Sequence, residues 1–178
     1  MDKPMSDCHF KFMSSGYKFR DFFLPRKKIL GEVGIKEGFH ILDYGCGPGG
    51  YVTPASKLVG KSGKIYALDI HTLAIHKVKD IVSKYNLQNV QTIRSDCKTG
   101  LPDNSIDVVL LYDTFHELSY PNRVLKELHR VLKPKGILSF SDHHMKEKEI
   151  VSKLTDKGLF RFSGKGKKTY SFLKECLA

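Results

Sequence analysis

The chain predicts an α/β domain built on a mostly parallel sheet. Three observations carry this. Short apolar runs at residues 39–44, 64–68, 90–94, 106–111 and 137–141 alternate with stretches of helical period. The run Ile106–Leu111 is continuously apolar, as a strand buried on both faces requires. The first run leads into a glycine loop, ILDYGCGPGG from Ile41 to Gly50, that feeds straight into a helix-like stretch. A length of 178 residues suits one domain, 1–178, with an N-terminal helical lid segment at 1–35 ahead of a core at 36–178.

Residues 1–15 show no clear period and are expected to fray or to fold over a ligand. Phe19, Phe22 and Phe23 mark one helical face up to Leu24. They read equally well as core packing or as a lid with Tyr17 and Arg20 turned to the ligand. Pro25 breaks the run and opens a short helix carrying Ile29, Leu30 and Val33. Gly38 ends that segment, and strand Phe39–Tyr44 follows. A helix over Tyr51–Val59 stops at Gly60. Lys64–Leu68 is the second strand, ended by Asp69. The helix Thr72–Tyr85 turns Ala74, Val78, Ile81, Val82 and Tyr85 inward. Val90–Arg94 is the third strand, followed by Ser95-Asp96-Cys97.

Residues 100–105 are rich in turn formers. The fourth strand, Ile106–Leu111, is followed by Tyr112-Asp113-Thr114-Phe115-His116-Glu117-Leu118 at its carboxyl tip. A helix over Pro121–Leu132 buries Val124, Leu125, Leu128, Val131 and Leu132, and Lys133-Pro134-Lys135-Gly136 stops it. The fifth strand, Ile137–Ser141, is capped by Asp142-His143-His144. A helix over Lys146–Lys157 ends at Gly158. Leu159–Phe162 and Thr169–Leu173 form a terminal strand pair.

The glycine loop holds the chemistry. Gly45, Gly47 and Gly50 fit the dinucleotide spacing, which alone also admits a pyrophosphate. Asp43 tips the balance, because a carboxylate there repels phosphate and attracts a ligand bearing an ammonium and a sulfonium. S-adenosyl-L-methionine carries both. The expected cofactor contacts are Asp43 with Gly45, Cys46, Gly47 and Gly49 in the loop. Asp69 stands about twenty residues past the loop, where an acid bonds ribose hydroxyls, with Ile70 beside it. Asp96, with Cys97, is placed to accept from the adenine amino group. Tyr112 lies at the tip of the fourth strand, the end where open α/β sheets bind ligands.

Taken together, LDYGCGPGG, Asp69 in IYALDI, Asp96 in RSDC, IDVVLLYDTFHEL and ELHRVLKPKGILSF cover about residues 36–142. The set resembles the Rossmann-like, seven-stranded S-adenosylmethionine-dependent methyltransferases. It is most similar to the small archaeal and bacterial type, near the quinone-biosynthesis and arsenite methyltransferases. The resemblance implies a three-layer fold with strand order 3-2-1-4-5-7-6 and only strand 7 antiparallel. It implies methyl transfer and S-adenosyl-L-homocysteine as the product. It says little about the acceptor. No insertion separates the fifth strand from the terminal pair, where many relatives build an acceptor pocket. The acceptor site is therefore shallow, formed by residues 1–30, or completed by a partner.

Methyl transfer needs alignment and exclusion of water more than it needs a base. His116 is the first candidate base, with His143 and His144 next, all at the ligand edge. A metal site from His116, Asp142, His143 and His144 is conceivable, but spacing does not make them converge, and no metal is expected. Cys8, Cys46, Cys97 and Cys176 are scattered, which argues against a three-cysteine arsenite site and for reduced cytoplasmic thiols. No apolar run reaches the length of a membrane span, and the first ten residues lack a secretory apolar core. The net charge of +11 admits an anionic partner such as RNA or an acidic membrane surface, although spread lysines speak first to solubility. Three functions stand: methyl transfer to a small or lipid-like acceptor, methyl transfer to RNA or protein, and a non-catalytic cofactor-binding subunit. Steep salt dependence would mark the second. Intact Asp43, Asp69 and Asp96 speak against the third.

Overall fold

The computed structural model describes residues 4–12 and 26–176. Residues 7–12 are helical (α1). The elements that follow are α2 (Arg26–Gly31), β1 (His40–Tyr44), α3 (Val52–Val59), β2 (Lys64–Asp69), α4 (Thr72–Tyr85), β3 (Val90–Arg94) and β4 (Ile106–Tyr112). Then come a single 3₁₀ turn (Phe115–Glu117), α5 (Pro121–Val131), β5 (Leu132–Ser141), α6 (Glu147–Thr155), β6 (Phe160–Lys165) and β7 (Tyr170–Lys174). Phe19, Phe22, Phe23, Tyr17 and Arg20 lie outside the described residues.

The seven strands form one sheet in the order β3-β2-β1-β4-β5-β7-β6. β1 through β5 pair in parallel. β7 runs antiparallel to both neighbours. This is the order that the family resemblance implies. A parallel neighbour needs a crossover, which α3, α4, α5 and the segment before β4 supply. β6 and β7 are joined by a short turn and so must be antiparallel.

Alternation along the central strands builds three layers. Leu42, Tyr44, Val109 and Leu111 face one side, where they pack with Val124, Leu125 and Leu128 of α5 and Ile150 and Leu154 of α6. Ile41, Val108, Leu110 and Tyr112 face the other, against Leu30 of α2 and Ala55 and Val59 of α3. α4 packs on this second side through Val78, beside Ala67 and Val52. With helices on both faces, the middle of each central strand is apolar, Ile41 and Leu42 in β1 and Val108–Leu111 in β4.

Two expectations need correction. Lys133–Gly136 does not separate α5 from the next strand, because β5 begins at Leu132. Its register jumps from Leu132 opposite Ile106 to Ile137 opposite Val108, so the intervening residues swell out of the ladder. Asp107 braces the swelling, accepting from Lys133 Nζ at 2.6 Å and from the His40 N–H at 2.8 Å. Tyr85 is not inward but 53 % exposed, beyond the packed stripe of Ala74, Ile75 and Val78. Lys84 Nζ lies 5.4 Å from the centre of the Tyr85 ring.

The turn before β2 is tight. A Cβ on Gly63 would stand 2.6 Å from the Phe39 carbonyl oxygen and 2.7 Å from that of Val59, both backbone atoms that cannot swing aside. Gly63→Ala is expected to cost about 1–3 kcal/mol, as overpacking does. Gly31→Ala, whose Cβ meets open space, should leave stability unchanged or slightly raised. Urea unfolding of both variants checks this, and equal midpoints would contradict it.

Candidate cofactor site

The carboxyl ends of the five parallel strands share one edge, and an aspartate stands at each: Asp43, Asp69, Asp96, Asp113 and Asp142. The glycine loop is moored to this edge through β2. The Gly45 and Cys46 N–H groups both donate to the Leu68 carbonyl, at 2.8 and 2.9 Å. The Gly47 N–H donates to Asp69 Oδ2 at 2.8 Å, and the His71 N–H donates to Asp69 Oδ1 at 2.8 Å. Gly45 has φ +76°, and a Cβ there would fall 2.2 Å from Thr114 Oγ1. Only glycine lets the loop after β4 close against it.

Between these loops lies a cavity of about 340 Å³. Asp43, Gly45, Cys46, Gly47, Asp69, Ile70, Asp96 and Tyr112 all line it. Two other expected contacts face elsewhere. A Cβ on Gly49 would press on Ile81 Cδ1 at 2.9 Å, so this glycine lets the loop pack on α4. Cys97 is buried in the core on the α5 side of the sheet, while its neighbours Ser95 and Asp96 line the cavity. Thr114 and Glu117, in the motif stretch at the tip of β4, also line it. So do Arg26 and Phe10, which sit in no motif and arrive by tertiary packing from distant segments. Arg26 reaches the site with its guanidinium 4.2 Å from the centre of the Tyr51 ring. Phe10 stacks on His71 at 4.5 Å and brings residues 4–10 over the opening.

The electrostatics favour a cation. Asp43 is buried, and its Oδ2 has no hydrogen-bond partner among the described residues. Burial pushes its carboxyl up to about 7, Arg26 pulls it back, and the Asp69 charge adds to the rise. Asp69 is also raised, mainly by burial, against the two backbone N–H groups it accepts from. An ionised carboxylate has about four acceptor positions, so Asp69 keeps capacity for hydroxyl donors after those two bonds. Burial and the Asp43 charge push the Cys46 thiol well up, so it is no thiolate nucleophile. The Tyr112 hydroxyl bonds Ser139 Oγ at 2.7 Å inside the sheet, leaving its ring to the cavity wall. An orphaned carboxylate oxygen, a glycine loop and further carboxylates at the next two strand tips fit a zwitterionic nucleoside such as S-adenosylmethionine.

The three histidines meet, as spacing alone did not show. The ring of His144 lies 4.2 Å from that of His116 and 4.0 Å from that of His143. His116 Nδ1 is 2.9 Å from Asp142 Oδ2, and its N–H donates to the same oxygen at 3.1 Å. His143 Nδ1 is 2.8 Å from Asp113 Oδ1. None of the three rings lines the cavity, although Asp113, Thr114 and Glu117 beside them do.

A glycine-looped, seven-stranded α/β domain with this buried acidic edge is the architecture of a nucleoside-cofactor transferase. Residues 35–175 match the model of the family described as "Methyltransferase domain", and the chain belongs to that family. It is 32 % identical over 131 residues to a demethylmenaquinone methyltransferase of Geobacillus stearothermophilus, covering 73 % of this chain and 56 % of that one. The chain thus spans little more than half the length of such curated relatives. A SAM-dependent methyltransferase from Aquifex aeolicus superimposes with a TM-score of 0.82 at 29 % identity, over 98 % of this chain and all of that one. An arsenic(III) S-adenosylmethionine methyltransferase from Chlamydomonas reinhardtii gives 0.56 at 30 % identity, over 62 % and 40 % of the two chains.

Asp43 makes a testable link between ligand and proton. Its folded value of about 7 exceeds the ordinary 3.8, so the unliganded protein holds a proton there between those limits. A bound ammonium favours the ionised form. Binding of S-adenosylhomocysteine at pH 6, a pH below that value, should therefore release a proton and weaken as pH falls. Calorimetry in buffers of differing ionisation enthalpy measures this. Asp43→Asn should bind more weakly and lose the proton release, whereas an unchanged release would place the titrating group elsewhere.

Proposed function

We propose that the protein transfers a methyl group from S-adenosylmethionine to a small-molecule, lipid-like acceptor. The observation that carries this is the partnerless Asp43 carboxylate oxygen at the cavity wall, beside the loop whose glycines admit a nucleoside. When bound, the cofactor supplies a methyl group activated on a sulfonium. Asp43 would hold its ammonium, Arg26 its carboxylate, Asp69 the ribose hydroxyls and Asp96 the adenine amino group. The demethylmenaquinone named for the Geobacillus relative supports an apolar ring as acceptor.

Residues 1–35 act as the lid of a single domain. Support comes from Pro4, Met5, His9 and Phe10 in the cavity wall. His116 takes the acceptor's proton, its ring oriented through Nδ1 by Asp142, and His143 and His144 play lesser parts. The lid must shift for an acceptor to reach both His116 and the cavity. We place the protein in the cytoplasm. No helix among the described residues is long and apolar enough to cross a membrane, and Cys8, Cys46, Cys97 and Cys176 are free thiols. The basic charge remains available for an anionic surface that delivers the acceptor.

Calorimetry should show binding of S-adenosylhomocysteine and none of NAD. Asp69→Ala should weaken the former about 10–100-fold, the scale of a lost charged hydrogen bond. Label carried from the methyl group into fractionated extract should appear in the small-molecule or lipid fraction. Label confined to RNA or protein would overturn the acceptor class, and NAD binding in its place would overturn the cofactor. With an acceptor in hand, His116→Ala should lower kcat about 10²–10⁴-fold, as loss of a general base does. Its affinity for S-adenosylhomocysteine should be unchanged. Full turnover would make His116 structural.

A further inference from the structure

The tips of β4 and β5 hold a group that neither the cofactor nor a lone base requires. Asp113, Asp142 and His143 each offer one donor atom, and the three atoms lie within 4.8 Å of one another. We propose that they bind a divalent transition-metal ion beside the cofactor cavity, and that the ion holds an oxygen of the methyl acceptor. The second clause rests on the proposed methyl transfer, whereas the first does not.

The donor set suits such an ion. Imidazole favours Zn²⁺ and its neighbours, carboxylates favour harder ions such as Mn²⁺, and a mixed set accepts either. Donors on one ion about 2.1 Å away stand roughly 3–4 Å apart. His143 Nδ1 and Asp113 Oδ1 are 2.8 Å apart, already close to that spacing. The His143 side chain is 60 % exposed and free to adjust. Three protein donors leave a position open, the pattern of a reactive rather than a structural site.

Burial supplies a second argument. The Asp142 side chain is fully buried and that of Asp113 is 14 % exposed. Buried carboxylates are paired, hydrogen-bonded or bound to a metal. Lys165 lines the small cavity on the far side with Asp142 and His143, but it is paired with Glu147. Asp142 is also held as a metal ligand is held. Its Oδ2 faces His116 Nδ1, and its Oδ1 accepts the His144 N–H at 3.1 Å. Such outer partners fix the orientation of a ligating carboxylate. Asp113 lines the cofactor cavity while Asp142 and His143 line the smaller one. An ion among them stands at the junction, within reach of an acceptor entering from either side. A hydroxyl bound to it would lose its proton more easily, and the negative oxygen would stay fixed next to the methyl source.

The test uses the full chain, stripped of metal with a chelator and titrated with Mn²⁺ and, separately, Zn²⁺. One equivalent of either ion should bind by calorimetry. Mn²⁺ at a fraction of an equivalent should broaden the ring-proton signals of His116, His143 and His144 before that of the exposed His76. His143→Ala and Asp113→Asn should each weaken binding at least tenfold, the lower end of what ligand support is worth. His143→Ala should bind S-adenosylhomocysteine as the parent does, which also reports on folding. No saturable uptake of either ion would overturn the proposal and leave a network of Asp–His hydrogen bonds. So would uptake that His143→Ala leaves unchanged, or broadening that begins at His76. Parent binding of S-adenosylhomocysteine, measured on the same sample, tells failure of the metal site from failure of the methyltransferase reading.

Discussion

The Asp69 carboxylate ties the site together. One oxygen holds the Gly47 N–H of the glycine loop, and the other holds the His71 N–H at the start of α4. Two loops that leave adjacent strands are thus fixed to a single side chain. The Leu68 carbonyl, one residue back, takes the two preceding N–H groups of the loop. The loop's shape is therefore dictated by the end of β2, and Gly45 must lack a side chain so that Thr114 can close from β4. Loss of Asp69 would remove the proposed ribose contact and also release the Gly47 and His71 N–H groups that it holds.

The same edge concentrates negative charge in a poorly solvated place. Burial raises both Asp43 and Asp69, and the Asp69 charge raises Asp43 further. This is unfavourable for the unliganded protein and favourable for a cation. In the proposed binding mode, the ammonium and sulfonium of the cofactor meet that field on the β1–β2 side. On the β4–β5 side, Asp113 and Asp142 repeat the arrangement with imidazoles in place of the glycine loop. One sheet edge thereby offers two cation-seeking positions. Methyl transfer gains when a positive donor and a fixed nucleophile are held side by side.

Much of this was legible in the sequence because the signals are local. The strands β2 and β3 and the helix α4 follow from period and from their end residues, and the glycine loop with Asp43 and Asp69 follows from chemistry that the backbone imposes. What could not be read depends on packing between distant segments. Arg26 and Phe10 reach the cavity from the N-terminal region with no motif to mark them. Cys97 and Gly49 sit within motifs yet turn toward the core and α4, because the facing of a loop residue is not periodic. The swelling at Lys133–Gly136 reads as a helix stop, since proline and glycine announce a break without saying what comes after it. The meeting of His116, His143 and His144 needed the pairing of β4 with β5, which only the sheet order provides.

The central claim is that a buried carboxylate at the tip of β1, with its Oδ2 unpartnered among the described residues, selects the cofactor by its positive charge. A crystal structure of the complex with S-adenosylhomocysteine tests it most directly. The ligand's amino nitrogen should lie within about 3.2 Å of a carboxylate oxygen of Asp43, directly or through one water. An amino group turned to solvent, with Asp43 still lacking a partner, would contradict the account.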